Sequence, residues 1–165
     1  YIEILEEAIK ELKTGETAKE ENIEFKIAAT TYIPSDYVSA RDKIKMYKRI
    51  SSLCGLKEKE ALTAEFSESY GAVPIGLKNL MNIALIKNLV KGMGVKSVIV
   101  TKQGAGINFV GADVFKDERI LKAVSENKDK VVLTTTIPPA LIFDVKNLSP
   151  EDKLETIANF LVQCD

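Results

Sequence analysis

Apolar positions in this chain recur at two different periods, and the changes of period divide it into elements. Over 1–13, Ile2, Leu5, Ile9 and Leu12 return every three or four residues between Glu3, Glu6, Glu7, Lys10 and Glu11. That spacing predicts an amphipathic helix, stopped by Gly15. The polar run 16–22 reads as a surface link. From Ile23 the period shortens to two, with Ile23, Phe25 and Ile27 alternating against Glu24 and Lys26, which predicts a strand with one wet face. Tyr32-Ile33-Pro34 then reads as an extended turn, because proline disfavours helix in the residue before it.

Helical spacing returns at Ser39. With Asp42 three residues on, Ser39 forms a variant capping box, and Ala40, Ile44, Tyr47, Ile50 and Cys54 form the stripe behind it, with Gly55 as its stop. Lys57–Tyr70 is the next helix, with Leu62, Phe66 and Tyr70 as its core stripe. Gly71 stands where a left-handed residue closes a helix, and Pro74 stands near the next first turn. The helix from Ile75 to about Lys91 is apolar on more than one face, so it is expected to be central; Gly92 and Gly94 end it.

Beyond Gly94 the period is again two. Val95–Thr101 and Ile107–Val110 read as strands joined across Lys102–Gly106, and Val131–Thr136 and Leu141–Val145 as two more. A short helix over Asp117–Asn127 turns Ile120, Leu121 and Val124 inward. Ser149-Pro150-Glu151-Asp152 starts a closing helix with an N-cap serine, a first-turn proline and acids at the positive dipole end. The fold class expected is α+β, with an N-terminal helical layer of about four helices plus one strand. A small mixed or antiparallel sheet with two further helices follows. We read 1–165 as a single domain, with a start helix over 1–14, a strand over 23–29, the helical layer over 39–92 and the sheet with its helices over 95–165. Because Tyr1 already lies inside a helical pattern, the segment is expected to come from a longer chain.

Composition narrows the function classes. The 165 residues carry a net charge of −1, with 45% hydrophobic and 28% charged residues. Such a balance gives no global electrostatic case for nucleic acid or an acidic membrane surface. No apolar run approaches the ~20 residues of a membrane span, and the expected location is cytoplasmic. Histidine is absent, which removes His-based catalysis and nearly all zinc sites. Cys54 and Cys164 are expected to be buried, reduced thiols.

Motif searches yield little chemistry. Gly104-Ala105-Gly106 lacks the GK[ST] ending of a phosphate loop and lies between strands, so it reads as a hairpin. Thr134-Thr135-Thr136 reads as a β-prone run with wet hydroxyls. Lys87, Lys91, Lys96 and Lys102 read as a solvated rim, the sharper alternative being a weak contact to a phosphate backbone. Glu65 and Glu68, three apart on one helix face and turned away from the core, are either an ordinary wet face or half of a contact completed by a basic patch elsewhere.

Four blocks in order carry a resemblance: Tyr1…Leu5-Glu6-Glu7-Ala8…Glu11-Leu12-Lys13; Tyr32-Ile33-Pro34…Tyr37; Lys45-Met46-Tyr47-Lys48-Arg49-Ile50; and Leu62…Glu65-Phe66…Glu68…Tyr70-Gly71…Pro74. Over roughly 1–92 the chain resembles the C-terminal region of bacterial transcription-repair coupling factors. The resemblance implies a parent that is an ATP- and Mg-dependent DNA translocase, which removes stalled RNA polymerase and recruits excision repair through UvrA. It implies no cofactor and no reaction in this domain. The domain would instead dock on the N-terminal, UvrB-like domain of the same polypeptide and mask the UvrA surface, with Glu65, Glu68 and Tyr70 as contact residues. Glu68 stands where the family usually has Asp, and Ser69 where it usually has Arg. The alternatives are an adaptor that binds RNA polymerase or a repair factor directly, and an enzyme of unknown type.

Overall fold

The computed structural model describes residues 22–165, so the helix expected over 1–14 lies outside the described residues. The described chain forms two compact units, one of Thr30–Asn88 and one of 22–29 together with Leu89–Asp165.

The first unit is helical: α1 (Ala40–Ser51), α2 (Leu56–Tyr70) and α3 (Ile75–Leu89). Ser39 caps α1 as its sequence predicts, its Oγ accepting from the Asp42 N–H at 3.2 Å and satisfying one of the orphan donors of the first turn. The buried face of α1 is Met46, Tyr47, Ile50 and Ser51. The expected stripe shares Tyr47 and Ile50 with this face but strays at its edge, and Ile44 is 59% exposed. Two residues are about 200° of helix, so once Met46 faces inward Ile44 must face out. Gly55 does not stop α1, which ends at Ser51 with Ser52 as its C-cap. Gly55 instead precedes α2 as its N-cap.

Leu62 and Phe66 bury the inner face of α2. Tyr70, expected to continue that stripe, is 38% exposed, because its ring leaves the last turn to lie 5.9 Å from that of Tyr37. Gly71 follows at φ 94°, a region in which a Cβ is strained. α3 is buried nearly round its circumference, from Gly76 to Lys87 with Lys78 exposed, in accord with its all-round apolar sequence. Asn79 in its second turn donates to the Thr30 carbonyl at 2.8 Å.

The second unit is a five-stranded mixed sheet with two helices. β1 (Glu24–Ile27), β2 (Val95–Thr101), β3 (Gly104–Phe109), β4 (Val131–Leu133) and β5 (Ala140–Phe143) lie in the order β1-β2-β3-β5-β4. β1 pairs parallel to β2, with Phe25 opposite Val98, and the other pairs are antiparallel. Parallel neighbours need a crossover, and here the whole helical unit is the connecting chain. One sheet face is an apolar row: Val98, Ile107, Leu141 and Leu133 follow one another in register, with Val100, Ala105, Phe143 and Val131 beside them. The closing helix α5 (Pro150–Cys164) packs there through Phe160, edge-on to Phe143 at 5.4 Å. A 3-10 turn over Ala112–Lys116, not expected from the sequence, leads into α4 (Glu118–Glu126). Ile120 and Ala123 are the buried residues of α4, and Leu121 faces outward.

Two loops also depart from their reading. The β2–β3 turn is only Lys102–Gln103, and Gly104–Gly106 lie inside β3. A Cβ on Gly106 would stand 3.1 Å from the Leu141 carbonyl, so Gly106 serves close strand approach, whereas a Cβ on Gly104 would meet nothing within 4 Å. Thr134 and Thr136 leave the strand for the turn that follows. There Thr134 Oγ1 accepts from the Ala140 N–H at 2.9 Å and Thr136 Oγ1 donates to the Pro138 carbonyl at 3.0 Å. Finally, Lys153 is 3% exposed and its Nζ donates to the Thr101 and Lys102 carbonyls at 2.7 and 3.2 Å. The aliphatic stem is buried and the ammonium closes the end of the β2–β3 hairpin.

Candidate docking surface

The seam between α1 and α2 gathers the residues of interest. α2 turns Glu65 and Glu68 outward, about 60° apart around its axis at 3.6 residues per turn, and both are exposed. They are not equivalent. Glu65 leans toward α1 and forms an ion pair with Arg49, both side chains about half exposed. The Arg49 guanidinium also lies over the Phe66 ring, 5.9 Å from its centroid, within cation–π range. Among the described residues Glu68 has no ion pair. Sequence reasoning missed Arg49 as a partner, since it lies sixteen positions away on another helix; its place in the last turn of α1 reads first as a cation offsetting the helix dipole.

Tyr70 lies at the end of the seam. Its hydroxyl donates to Asp42 Oδ2 at 3.4 Å, while Tyr37 donates to the Gly71 carbonyl at 2.9 Å. Desolvation first, and then the Asp42 carboxylate, raise the Tyr70 phenol above its ordinary value of 10.0. Desolvation and then Tyr70 do the same to Tyr37. At neutral pH both are neutral hydroxyls that can donate.

Toward the other end of the seam lies a groove of ≈ 340 Å³. Leu53, Ala61 and Leu62 line it, with Glu58, Glu65 and Arg49 around them. Glu58 is held in place by the Cys54 N–H, which donates to its Oε2 at 3.1 Å. Cys54 itself is exposed rather than buried, and only Cys164 meets that expectation. Of the expected lysine rim, Lys87 is 4% exposed and so is no part of a wet surface; Lys91, Lys96 and Lys102 are exposed. A recess in the second unit, between Asn127, Thr156 and Gln163, measures ≈ 120 Å³. That is below the ~300 Å³ at which small-molecule pockets begin, and the Asn127 amide already donates to Gln163 Oε1 at 2.9 Å. Among the described residues no three acidic, cysteine or histidine side chains converge as metal ligands, and no helix is long and apolar enough to cross a membrane.

Comparison with known proteins gives one consistent answer. The TRCF domain model matches residues 27–120, more than half of the chain. The transcription-repair-coupling factor of Borreliella burgdorferi is 22% identical over 158 residues, 95% of this chain. That of Rickettsia typhi is 32% identical over 137 residues, 79% of the chain, and that of Bacillus subtilis is 38% identical over 90 residues, 53% of it. The chain spans only 14%, 12% and 8% of those three relatives. A crystal structure of the C-terminal domain of a transcription-repair coupling factor superimposes with a TM-score of 0.69 at 25% identity, covering 88% of this chain and 92% of that one. The chain belongs to the TRCF domain family, and its α+β fold is that of the C-terminal domain of a transcription-repair coupling factor.

Proposed function

We propose that this domain is a removable cover that performs no reaction itself. It docks through the α1–α2 seam onto the N-terminal, UvrB-like domain of its own polypeptide, masks the surface that UvrA would take, and restrains a motor that uses ATP and Mg elsewhere in the chain. Glu65, Glu68 and Tyr70 are the contact residues. The observation that carries the reading is the outward placement of all three on one helix, in a chain of this family.

Physical chemistry accepts such a device readily. Holding the open form near 1% takes about 3 kcal/mol, and two domains on one chain enjoy a high effective concentration. A small, partly ionic contact therefore suffices. It must also be weak, because UvrA or polymerase has to displace it by differential affinity.

The test is Glu65→Ala with Glu68→Ala in the full-length parent. UvrA binding and DNA-independent ATP hydrolysis are both expected to rise. If both stay at the parental level, this pair is no clamp. Capture of RNA polymerase or a repair factor by this chain, with no affinity for the N-terminal domain, would replace the cover with an adaptor that binds an external protein.

A further inference from the structure

On the side away from the core, α1 carries a basic stripe. Arg41, Ile44, Lys45 and Lys48 are all exposed and fall within an arc of about 100° around the helix at 3.6 residues per turn. Arg41 and Lys48 stand about 10 Å apart along the axis at 1.5 Å per residue. Among the described residues none of the three cations has an ion pair. Asp42, the only acid of α1, lies beyond one edge of the arc and accepts from Tyr70. Arg49, which pairs with Glu65, is about 140° round from Ile44, so the Ile44 flank is turned away from the seam. The stripe weakens the helix that bears it. Arg41 and Lys45, four apart, and Lys45 and Lys48, three apart, repel one another on the helix surface. Ile44 is 59% exposed, where a β-branched residue favours helix less than alanine or lysine does and leaves apolar surface in water. The core asks for none of these residues, since Met46, Tyr47 and Ile50 bury the opposite side. Choices that oppose folding and gather on one face point to a function for that face.

We propose that this stripe is a docking face for an acidic amphipathic helix of a protein partner. Carboxylates of that helix pair with Arg41, Lys45 and Lys48, and a leucine-sized side chain among them covers Ile44. Charge alone would suit a phosphate backbone as well, and Ile44 decides between the two. It stands one turn from Arg41 on one side and one turn from Lys48 on the other, where phosphates would leave it uncovered. Exposed ion pairs are individually weak and screened by salt, so the contact is reversible, and Ile44 is its apolar anchor. The proposal stands apart from the cover reading, because it uses neither Glu65 nor Glu68.

Three probes are titrated into the chain by NMR at low and at physiological salt: a helical peptide with glutamates flanking a leucine at helical spacing, its twin with glutamine for each glutamate, and a short DNA duplex. The acidic peptide is expected to shift the amides of α1 and to lose affinity with salt, and the twin not to bind. Ile44→Ala is expected to weaken the acidic peptide by about three- to ten-fold with no loss of melting temperature, since alanine favours an exposed helix. Lys45→Glu is expected to weaken it by about tenfold and to raise the melting temperature, because the new carboxylate stands between Arg41 and Lys48 at pairing distance. Glu65→Ala with Glu68→Ala is expected to bind the peptide no more weakly than the parent chain, which separates this face from the seam and from the fate of the cover reading. The docking face is overturned if the acidic peptide leaves α1 unshifted, if Ile44→Ala binds it as tightly as the parent chain, or if Lys45→Glu lowers the melting temperature. Tighter binding of the duplex than of the peptide, unaffected by Ile44→Ala, overturns it in favour of a phosphate backbone.

Discussion

Gly76, in the first turn of α3, lies directly under the backbone of Tyr32: a Cβ built on it would stand 1.8 Å from the Tyr32 carbonyl oxygen and 2.8 Å from its nitrogen. Both atoms are main chain, so no rotamer change relieves the clash. The segment cannot simply retreat, because Ile33 beside Tyr32 is fully buried and Thr30 accepts from Asn79 two residues earlier. Gly76→Ala, which would favour an exposed helix by about 1 kcal/mol, is therefore expected to destabilise here by about 3 kcal/mol or more. Urea denaturation checks the sign; a neutral or stabilised variant would mean that the Tyr32 segment does not cross α3 this closely.

That crossing shows what was and was not legible in the sequence. α3 was readable as a central helix because its apolar residues cover every side, and the strands were readable from their alternation. Nothing in the sequence, however, says that Gly76 is a close-approach glycine, since the backbone it meets lies 44 positions away. The same holds for β1, whose alternation predicts a strand but does not name β2 as its parallel partner. Local signals that act within one turn, such as Ser39 with Asp42 and Ser149 with Asp152, appear in the structure as hydrogen bonds of 3.2 and 3.1 Å. Signals that need a third dimension were lost: Ile44 and Leu121 fit a helical period and still face water.

The candidate surface divides along the same line. Glu65 and Glu68 are legible as neighbours on one exposed helix face, and Tyr70 enters as a contact residue only through the family resemblance. Arg49 is not legible, because its pairing with Glu65 exists only once α1 folds against α2. A spacing of four from Phe66 places Tyr70 in the core stripe, a rule that holds while the helix continues. It is the last residue of α2, and its ring turns to Tyr37 instead.

Tyr37 and Tyr70 meet ring to ring but use their hydroxyls differently, and this supplies a paired test. Tyr37 donates at 2.9 Å to the carbonyl of Gly71 and is half-buried, so Tyr37→Phe removes a bond that closes the end of α2. The expected cost is about 1 kcal/mol. Tyr70 reaches Asp42 at 3.4 Å from an exposed position, where water replaces the bond, so Tyr70→Phe is expected to change stability by less than about 0.5 kcal/mol. Denaturant midpoints of the two variants, measured together, decide it. A larger loss for Tyr70→Phe would mean that the Asp42 contact anchors the turn.

The two cysteines make the final contrast, and it carries a pH dependence. Cys54 is exposed, whereas Cys164, at the end of α5, is 4% exposed. Burial first, and then the Asp117 carboxylate, push the Cys164 thiol from 9.0 up to about 11. A thiolate is disfavoured there, so iodoacetamide at pH 8 is expected to alkylate Cys54 and spare Cys164 in the folded chain. The linkage follows from the direction of the shift. Below pH 9 the thiol is protonated in both folded and unfolded chains, and its contribution to stability is fully present. Between pH 9 and about 11 the unfolded chain releases the proton while the folded chain retains it, so stability falls as pH rises. Tyr37 and Tyr70, also raised, add to the fall and are common to both proteins compared. Cys164→Ala should therefore lose less stability than the parent chain from pH 8 to 11 in urea titrations. Parallel curves for the two would show that Cys164 titrates no higher in the folded chain than in the unfolded one.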